Sequence, residues 1–332
     1  LSHVEGRPVL DTLFFGGGTP TQLPPDLLRQ LIELIRSKFD LASDAEFSVE
    51  GNPADLSDAT LDVLVEAGVN RLSLGAQSFD DATLKMLERD HRGSDIADCL
   101  ARARERIPNI SLDLIFAVPG QSLELWRSTL DEAIQLEPTH LSTYGLTFEK
   151  GTAFWTRREH GDLTQADEEL ERDMYGLAMD VLDEAGLAQY EISSFARPGF
   201  RSRHNQVYWN GGDFFGFGPG AASYQHGRRI LNHRSVTTWL KRVLAGESGV
   251  GETEELSPED RARELLVLGL RQTDGIEACE FERRSGIELQ TLVGESIERL
   301  VKQNLLEHAN NRIRLTREGR FLADSVAGEL LV

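Results

Sequence analysis

The chain has 332 residues, 35 Lys and Arg against 55 Asp and Glu, a formal net charge of −20 at pH 7, and two cysteines. That length can bury a large core and favours one sizeable domain plus a smaller one. The charge balance argues against a general nucleic-acid binder, which needs a concentrated basic face. No apolar run reaches the ~20 residues that cross a bilayer, and no signal-like sequence opens the chain, so the expected location is the cytoplasm. Cys99 and Cys279 are too few for a disulfide framework and too far apart for a metal motif; each is expected to be a buried free thiol. The chain begins at Leu1, in what reads as the tail of a helix, and a segment is expected upstream of it.

From there to about residue 195, short apolar runs alternate with helical patterns. The predicted strands are 12–15, 46–50, 71–74, 111–118, 141–146 and 187–192. Between the first two, a helix entered through Pro24 and Pro25 carries Leu27, Leu28, Leu31, Ile32, Leu34 and Ile35 towards the side expected to face a sheet. Ser57 is placed to cap the next helix and Gly68 to stop it. A later helix has Leu170, Met174, Leu177, Ala178, Val181, Leu182 and Ala185 at helical spacing, and its acidic other side reads as a solvated face. Repeated alternation of strand and helix implies parallel strands with helices outside, as a barrel or an open wound sheet.

Residues 197–233 are rich in Gly, Arg, Asn and aromatics without a period, and are expected to be long ordered loops around a site or an interface. From Ser257 helical patterns return. The closing stretch reads as helix, a two-strand wing turning at Asn310-Asn311, then helix, a winged-helix-like order. From Ser257 to the end there are 14 acids against 11 Lys and Arg, which favours a structural or docking role over DNA reading. The expected organisation is 1–196, 197–256 and 257–332.

In parallel α/β folds ligands gather beyond the carboxyl ends of the strands. Gly16, Gly17 and Gly18 follow the first such end, Glu50 closes the second strand, Gln77 lies just past the third, and Asp113 sits inside the fourth. Together they offer backbone polar groups, two carboxylates and an amide to one mouth, a set suited to a small zwitterion carrying a sugar. Each also has a plainer use. The glycines can make a tight turn. Asp113, among Leu112, Leu114, Ile115 and Phe116, would cost several kcal/mol if unpaired, and either caps a buried hydrogen-bond network or serves a ligand. Arg89 is either a surface cation or reaches back to a carboxylate. Nucleotide motifs fit poorly: no Gly-Lys-Ser/Thr follows the run, and the dinucleotide pattern needs Gly or Ala where Thr21 stands. "GFGPGA" at 216–221 fits that pattern formally, but it lacks a preceding strand, contains Pro219 and has no acid about 20 residues on.

"LFFGGGTPT", "SVEGNP", "GVNRLSLGAQSF", "LDLIFAVPGQ" and "YEISSFARPGFRSRHNQVYWNGGDFFGFGPGAAS" together resemble the radical SAM family of oxygen-independent coproporphyrinogen III oxidases and the HemW-type heme chaperones related to them. The resemblance runs over essentially the whole chain, HemN-type terminal domain included. It implies an α/β fold, a partial (β/α) barrel lacking its first strand in this chain, followed by a small winged-helix-like domain. It also implies S-adenosylmethionine bound on a [4Fe-4S] cluster. By that likeness Gly17, Gly18 and Thr19 receive the amino group of S-adenosylmethionine, and Glu50, Gln77, Arg89 and Asp113 match positions that contact it. The family's CxxxCxxC, whose thiolates hold the cluster, lies upstream of the glycine run and has no counterpart here, so the chain as written is expected to do no radical chemistry.

"RHNQVYW", 203–209, resembles the HNxxYW motif of the HemW branch. The likeness implies heme binding: His204 as a ligand of heme iron, Tyr208 and Trp209 against the macrocycle, and Arg197, Arg201, Arg203, Arg228 or Arg229 at the propionates. The same His serves equally as a hydrogen-bonding loop residue, and the two aromatics as core anchors. The leading expectation is a chaperone that delivers heme to acceptor proteins, touching membranes only peripherally, through those acceptors. The alternatives are an oxidase that removes hydrogen from porphyrinogen propionates before decarboxylation, and a docking protein without either activity.

Overall fold

The alternating pattern folds into a seven-stranded sheet clad by helices. In the computed structural model, residues 6–151 and 153–332 are described, and the chain divides into two compact units, one ending at Arg201 and the other spanning Ser202–Val332. The reading of the first residues as a helix tail falls outside the described residues. The first unit runs β1 (Val9–Phe15), α1 (Pro25–Arg36), β2 (Asp40–Gly51), α2 (Asp58–Glu66), β3 (Arg71–Gln77), α3 (Asp81–Met86), α4 (Gly93–Arg104), β4 (Ile110–Phe116), α5 (Leu123–Gln135), β5 (His140–Gly145), α6 (Ala153–Glu159), α7 (Glu168–Glu184), β6 (Ala188–Glu191) and β7 (Ser194–Ala196). Its sheet order is β1-β2-β3-β4-β5-β7-β6. The first five strands are parallel in sequence order, as crossovers through outer helices require. The result is the α/β half-barrel that the sequence implied.

The far edge departs from the all-parallel expectation. The run at 187–192 becomes β6, which forms an antiparallel hairpin with β7, and β7 takes the place beside β5, also antiparallel. A three-residue strand is too short to show a period, yet its Phe195 is fully buried. A second correction concerns α1. Leu28, Ile32 and Ile35 are buried, whereas Leu27, Leu31 and Leu34 are 50%, 38% and 50% exposed. The two triplets form parallel i, i+4, i+7 stripes about 100° apart on the helix, and only one can face the sheet. Elsewhere local signals hold: Ser57 Oγ accepts from the Thr60 N–H at 3.1 Å, Gly68 follows α2 with φ +82°, and α7 buries Met174, Ala178, Val181 and Leu182 while Asp173, Asp180, Asp183 and Glu184 face out.

The second unit runs α8 (Arg203–Trp209), β8 (Ala222–Gln225), β9 (Arg228–Asn232), α9 (Val236–Leu244), β10 (Val250–Glu255), α10 (Pro258–Leu270), β11 (Ile276–Glu277), α11 (Ala278–Ser285), α12 (Leu289–Lys302), β12 (Leu306–Ala309), β13 (Arg312–Leu315), α13 (Arg317–Phe321) and α14 (Ala323–Leu330). The stretch expected as loops therefore holds a helix and a hairpin. Ser202 Oγ caps α8 at Asn205 N–H, 3.3 Å, and the β8–β9 turn passes through His226 and Gly227, both at positive φ, the geometry of a tight hairpin turn. The sequence α10, β11, α11, α12, β12, β13 gives the winged-helix order, with β11 and β12 both antiparallel to β13. The wing turns at Asn310 and Asn311, φ +52° and +63°. Its core is Leu266, Leu270, Phe281, Leu300, Ile313 and Leu330, all buried.

Candidate functional site

At the carboxyl ends of β1 to β5 the first unit opens into a cavity of about 480 Å³. Gly18, Thr19, Glu50, Gln77, Arg89 and Asp113 all line it. Parallel register brings the acids in: Glu50 stands opposite Ser73, and Asp113 opposite Ser142. Gly17 is absent from the lining, but its N–H donates to Glu50 Oε2 at 3.1 Å, which fixes that carboxylate at the rim.

The three glycines have different reasons. A Cβ on Gly16 would lie 2.7 Å from Glu50 Cδ, so internal packing demands glycine there. Gly17 has φ +82°, a conformation that L side chains resist. At Gly18 a Cβ would meet nothing within 4 Å and φ is ordinary. Neither packing nor backbone explains it, and it is the one of the three that borders the cavity. Gln77 is held at φ +64°, in a region costly for a residue with a side chain.

Asp113 joins a buried hydrogen-bond network and also lines the cavity. Its Oδ2 accepts from Ser73 Oγ at 2.9 Å, and the Ser142 and Ser111 hydroxyls favour its anion, while the residue still faces the cavity. Burial pushes its carboxyl up; the serines and the Arg71 charge oppose that. Burial also raises Glu50, the Gly17 N–H pulls it down, and the Asp113 charge adds to the rise. Two carboxylates disfavoured as anions in one hollow are a complement to positive charge. Arg89 is exposed and, among the described residues, makes no ion pair, so its guanidinium is available to a carboxylate. Ser73, Gly75, Tyr144 and Gly145 also line the cavity and were missed from sequence. Gly75 and Gly145 carried a usable signal, since a glycine within a strand marks close approach: a Cβ at Gly75 would sit 2.9 Å from Gln77 Nε2, and one at Gly145 2.8 Å from Glu171 Oε1.

For a zwitterion with a cationic centre the donor set fits. For an iron–sulfur cluster it does not. Among the described residues no three Cys, His, Asp or Glu side chains are grouped to hold a metal ion. Cys99 is buried in α4, where burial pushes its thiol up to about 11. Cys279 is exposed rather than buried as expected; it stands at the start of α11, where its thiol donates to Glu277 Oε1 at 2.9 Å.

His204 lies in the second unit. Its Nε2 is 2.7 Å from the Tyr208 hydroxyl, one turn on along α8. The Tyr208 ring meets His204 edge-on at 5.1 Å and Phe214 edge-on at 4.7 Å. Trp209 is covered by the Arg271 guanidinium at 4.5 Å. Of the arginines considered for propionates, Arg197 donates to the Pro138 carbonyl, Arg201 lies over Tyr190, and Arg229 is paired with Glu254 and Glu264. No helix among the described residues is long and apolar enough to cross a membrane.

Comparison with known proteins agrees with this architecture. The Radical SAM superfamily model matches residues 3–133, and the HemN C-terminal domain model matches 256–322. The heme chaperone HemW of Bacillus subtilis (strain 168) is 38% identical over 328 residues, covering 98% of this chain and 86% of the relative. That of Lactococcus lactis subsp. lactis (strain IL1403) is 37% identical over 324 residues, covering 97% and 85%. Coproporphyrinogen III oxidase (HemN) from Escherichia coli, a radical SAM enzyme, superposes with a TM-score of 0.83 over 97% of this chain and 78% of that one; at 24% identity the likeness speaks for the fold. On its half-barrel, its HemN-type terminal domain and these relatives, the chain belongs to the radical SAM superfamily and, within it, to the HemW type.

Proposed function

We propose that the protein is a heme-binding chaperone of the radical SAM class, which binds S-adenosylmethionine in the cavity of the first unit, carries heme on α8 and delivers it to heme-accepting proteins in the cytoplasm. The observation that carries the S-adenosylmethionine part is the convergence of Gly18, Thr19, Glu50, Gln77, Arg89 and Asp113 on one cavity. Glu50 and the chain around Gly18 suit an ammonium, Arg89 a carboxylate, and Asp113 the ribose hydroxyls or the field around a sulfonium. What such a ligand supplies is its sulfonium chemistry; what these side chains do is bind and orient it. Heme binding is supported by the relatives named as heme chaperones and by an imidazole and a phenol set side by side on α8. A [4Fe-4S] cluster, which the family implies, would need ligands other than those the described residues group together.

Two titrations test this. Heme added to the wild-type chain is expected to give a shifted Soret band, at a different position in His204→Ala. An identical Soret response in the variant removes His204 as the ligand. Calorimetric titration with S-adenosylmethionine is expected to show one site per chain, and no binding overturns the role of the first cavity.

A further inference from the structure

A second cavity, of about 280 Å³, lies wholly within the second unit. Tyr208, Phe214 and Tyr224 give it an aromatic wall, with Phe214 stacked on Tyr224 at 6.3 Å. Arg229, Arg261 and Arg284 also line it, against a single carboxylate, Glu264. The arginines are not equivalent. Arg229 donates to Glu254 Oε2 at 2.9 Å and to Glu264 Oε1 at 2.5 Å, so its charge is answered. Arg284 donates to the Asn210 carbonyl and, among the described residues, makes no ion pair. Arg261 makes neither hydrogen bond nor ion pair through its side chain among the described residues. It runs along Gly227, where a Cβ would come 2.7 Å from Arg261 Cδ and 2.8 Å from Nε. Gly227 also has φ +86°, which favours glycine in the hairpin turn on its own account, and the absent Cβ leaves room for the Arg261 side chain.

Two guanidinium groups without carboxylates, in a hollow of a chain with net charge −20, are a site for an anion, and the planar fork of arginine matches a carboxylate. The volume is just below the usual range of ligand pockets, ~300–1,000 Å³. That admits a flexible acidic arm and excludes a macrocycle. Tyr208 joins this hollow to the proposed heme site, since its ring lines the cavity while its hydroxyl meets His204 Nε2.

We propose that this cavity is a carboxylate pocket that receives a propionate arm of heme held at α8, with Arg261 and Arg284 as donors. The inference rests on the heme-binding reading above. Neither arginine appeared among the sequence candidates, because both fall in stretches that read as plain helix.

The test is a Soret titration with heme and with heme dimethyl ester, which keeps the macrocycle and iron and removes both acids. The wild-type chain is expected to bind the diacid about tenfold more tightly than the ester, the scale of one charge-assisted contact. Arg261→Gln and Arg284→Gln, both at exposed positions, should bring that ratio towards one while the Soret position of the complex stays put. His204→Ala should move the Soret band and leave the ratio in place. Equal binding of diacid and ester by the wild-type chain, or an unchanged ratio in both arginine variants, overturns the pocket while heme binding stands. Arg261-dependent calorimetric binding of free propionate alongside equal diacid and ester affinity overturns it too, in favour of a pocket for a small free acid. Absence of any Soret response in the wild-type chain overturns the heme reading and this inference with it.

Discussion

The two cavities carry opposite charge. That of the first unit sets Glu50 and Asp113 against Arg89; that of the second sets three arginines against Glu264. Their origins differ as well. Parallel register builds the first, because strands that run the same way end at the same edge and present their last side chains together. No such rule builds the second, whose arginines come from a hairpin strand and two helices. In an acidic chain the second cavity stands out by sign alone, whereas the first stands out by the strain on its acids: burial raises both Glu50 and Asp113.

The largest effect expected from this contrast is at Glu50. Glu50→Gln should weaken S-adenosylmethionine by roughly ten- to hundredfold, the range for losing a charge-assisted contact, measured by calorimetry. The variant should fold at least as stably at neutral pH, because it removes a carboxylate that burial disfavours. The pH dependence has a definite sign. A carboxyl raised in the folded chain makes the folded state bind more protons than the unfolded one. The stability it contributes is present below the ordinary values, 4.5 for Glu50 and 3.8 for Asp113, and is lost as pH rises through the raised ones. Affinity for a cationic ligand runs the other way and grows over that window. Melting curves and titrations across it should therefore slope in opposite directions, and the slopes should flatten in Glu50→Gln. Parallel slopes would mean that the first cavity does not favour positive charge.

How much of each cavity could be read in advance follows from the same contrast. Glu50, Gln77 and Asp113 were legible because each ends, closely follows or sits in a β-like run, and the strand-end rule needs nothing more. Ser73 and Tyr144 were not, since they line the cavity only through register with neighbouring strands, Glu50 opposite Ser73 and Ile115 opposite Tyr144, and no one segment encodes that. Arg261 sits one turn into α10 and Arg284 near the end of α11, ordinary places for surface cations; only the Gly227 contact and the missing carboxylates distinguish them. The fold shows the same division. The five parallel strands follow from repeated alternation, while β7, with three residues, could be found only from its pairing with β5.

A middle-sized effect separates backbone from ligand space inside the glycine run. Gly16→Ala should cost about 1–3 kcal/mol, the range for overpacking, since its Cβ would enter the space of Glu50; thermal or urea unfolding reads this directly. Gly18→Val should leave stability within about 0.5 kcal/mol, as at an open surface position, yet reduce S-adenosylmethionine binding by filling the space the ligand needs. If the two exchange roles, with Gly18 sensitive in folding and Gly16 only in binding, the opening at Gly18 is structural.

The smallest effect lies at Arg229, and it tests whether the second cavity divides its arginines as the geometry indicates. Arg229 is 40% exposed and its partners Glu254 and Glu264 are 58% and 28% exposed, so solvent screens the pairs and their loss in Arg229→Gln should cost about 0.2–1 kcal/mol. Its charge is already met by two acids, so the preference for heme over its dimethyl ester should fall less than in Arg261→Gln. The direction is still downward, because Glu264 loses its cation and its carboxylate then faces the incoming acid. Were Arg229→Gln to abolish the preference as fully as Arg261→Gln does, Glu264 would not be neutralising Arg229 in solution. The second cavity would then act through the sum of its charges, not through the two arginines left without acids.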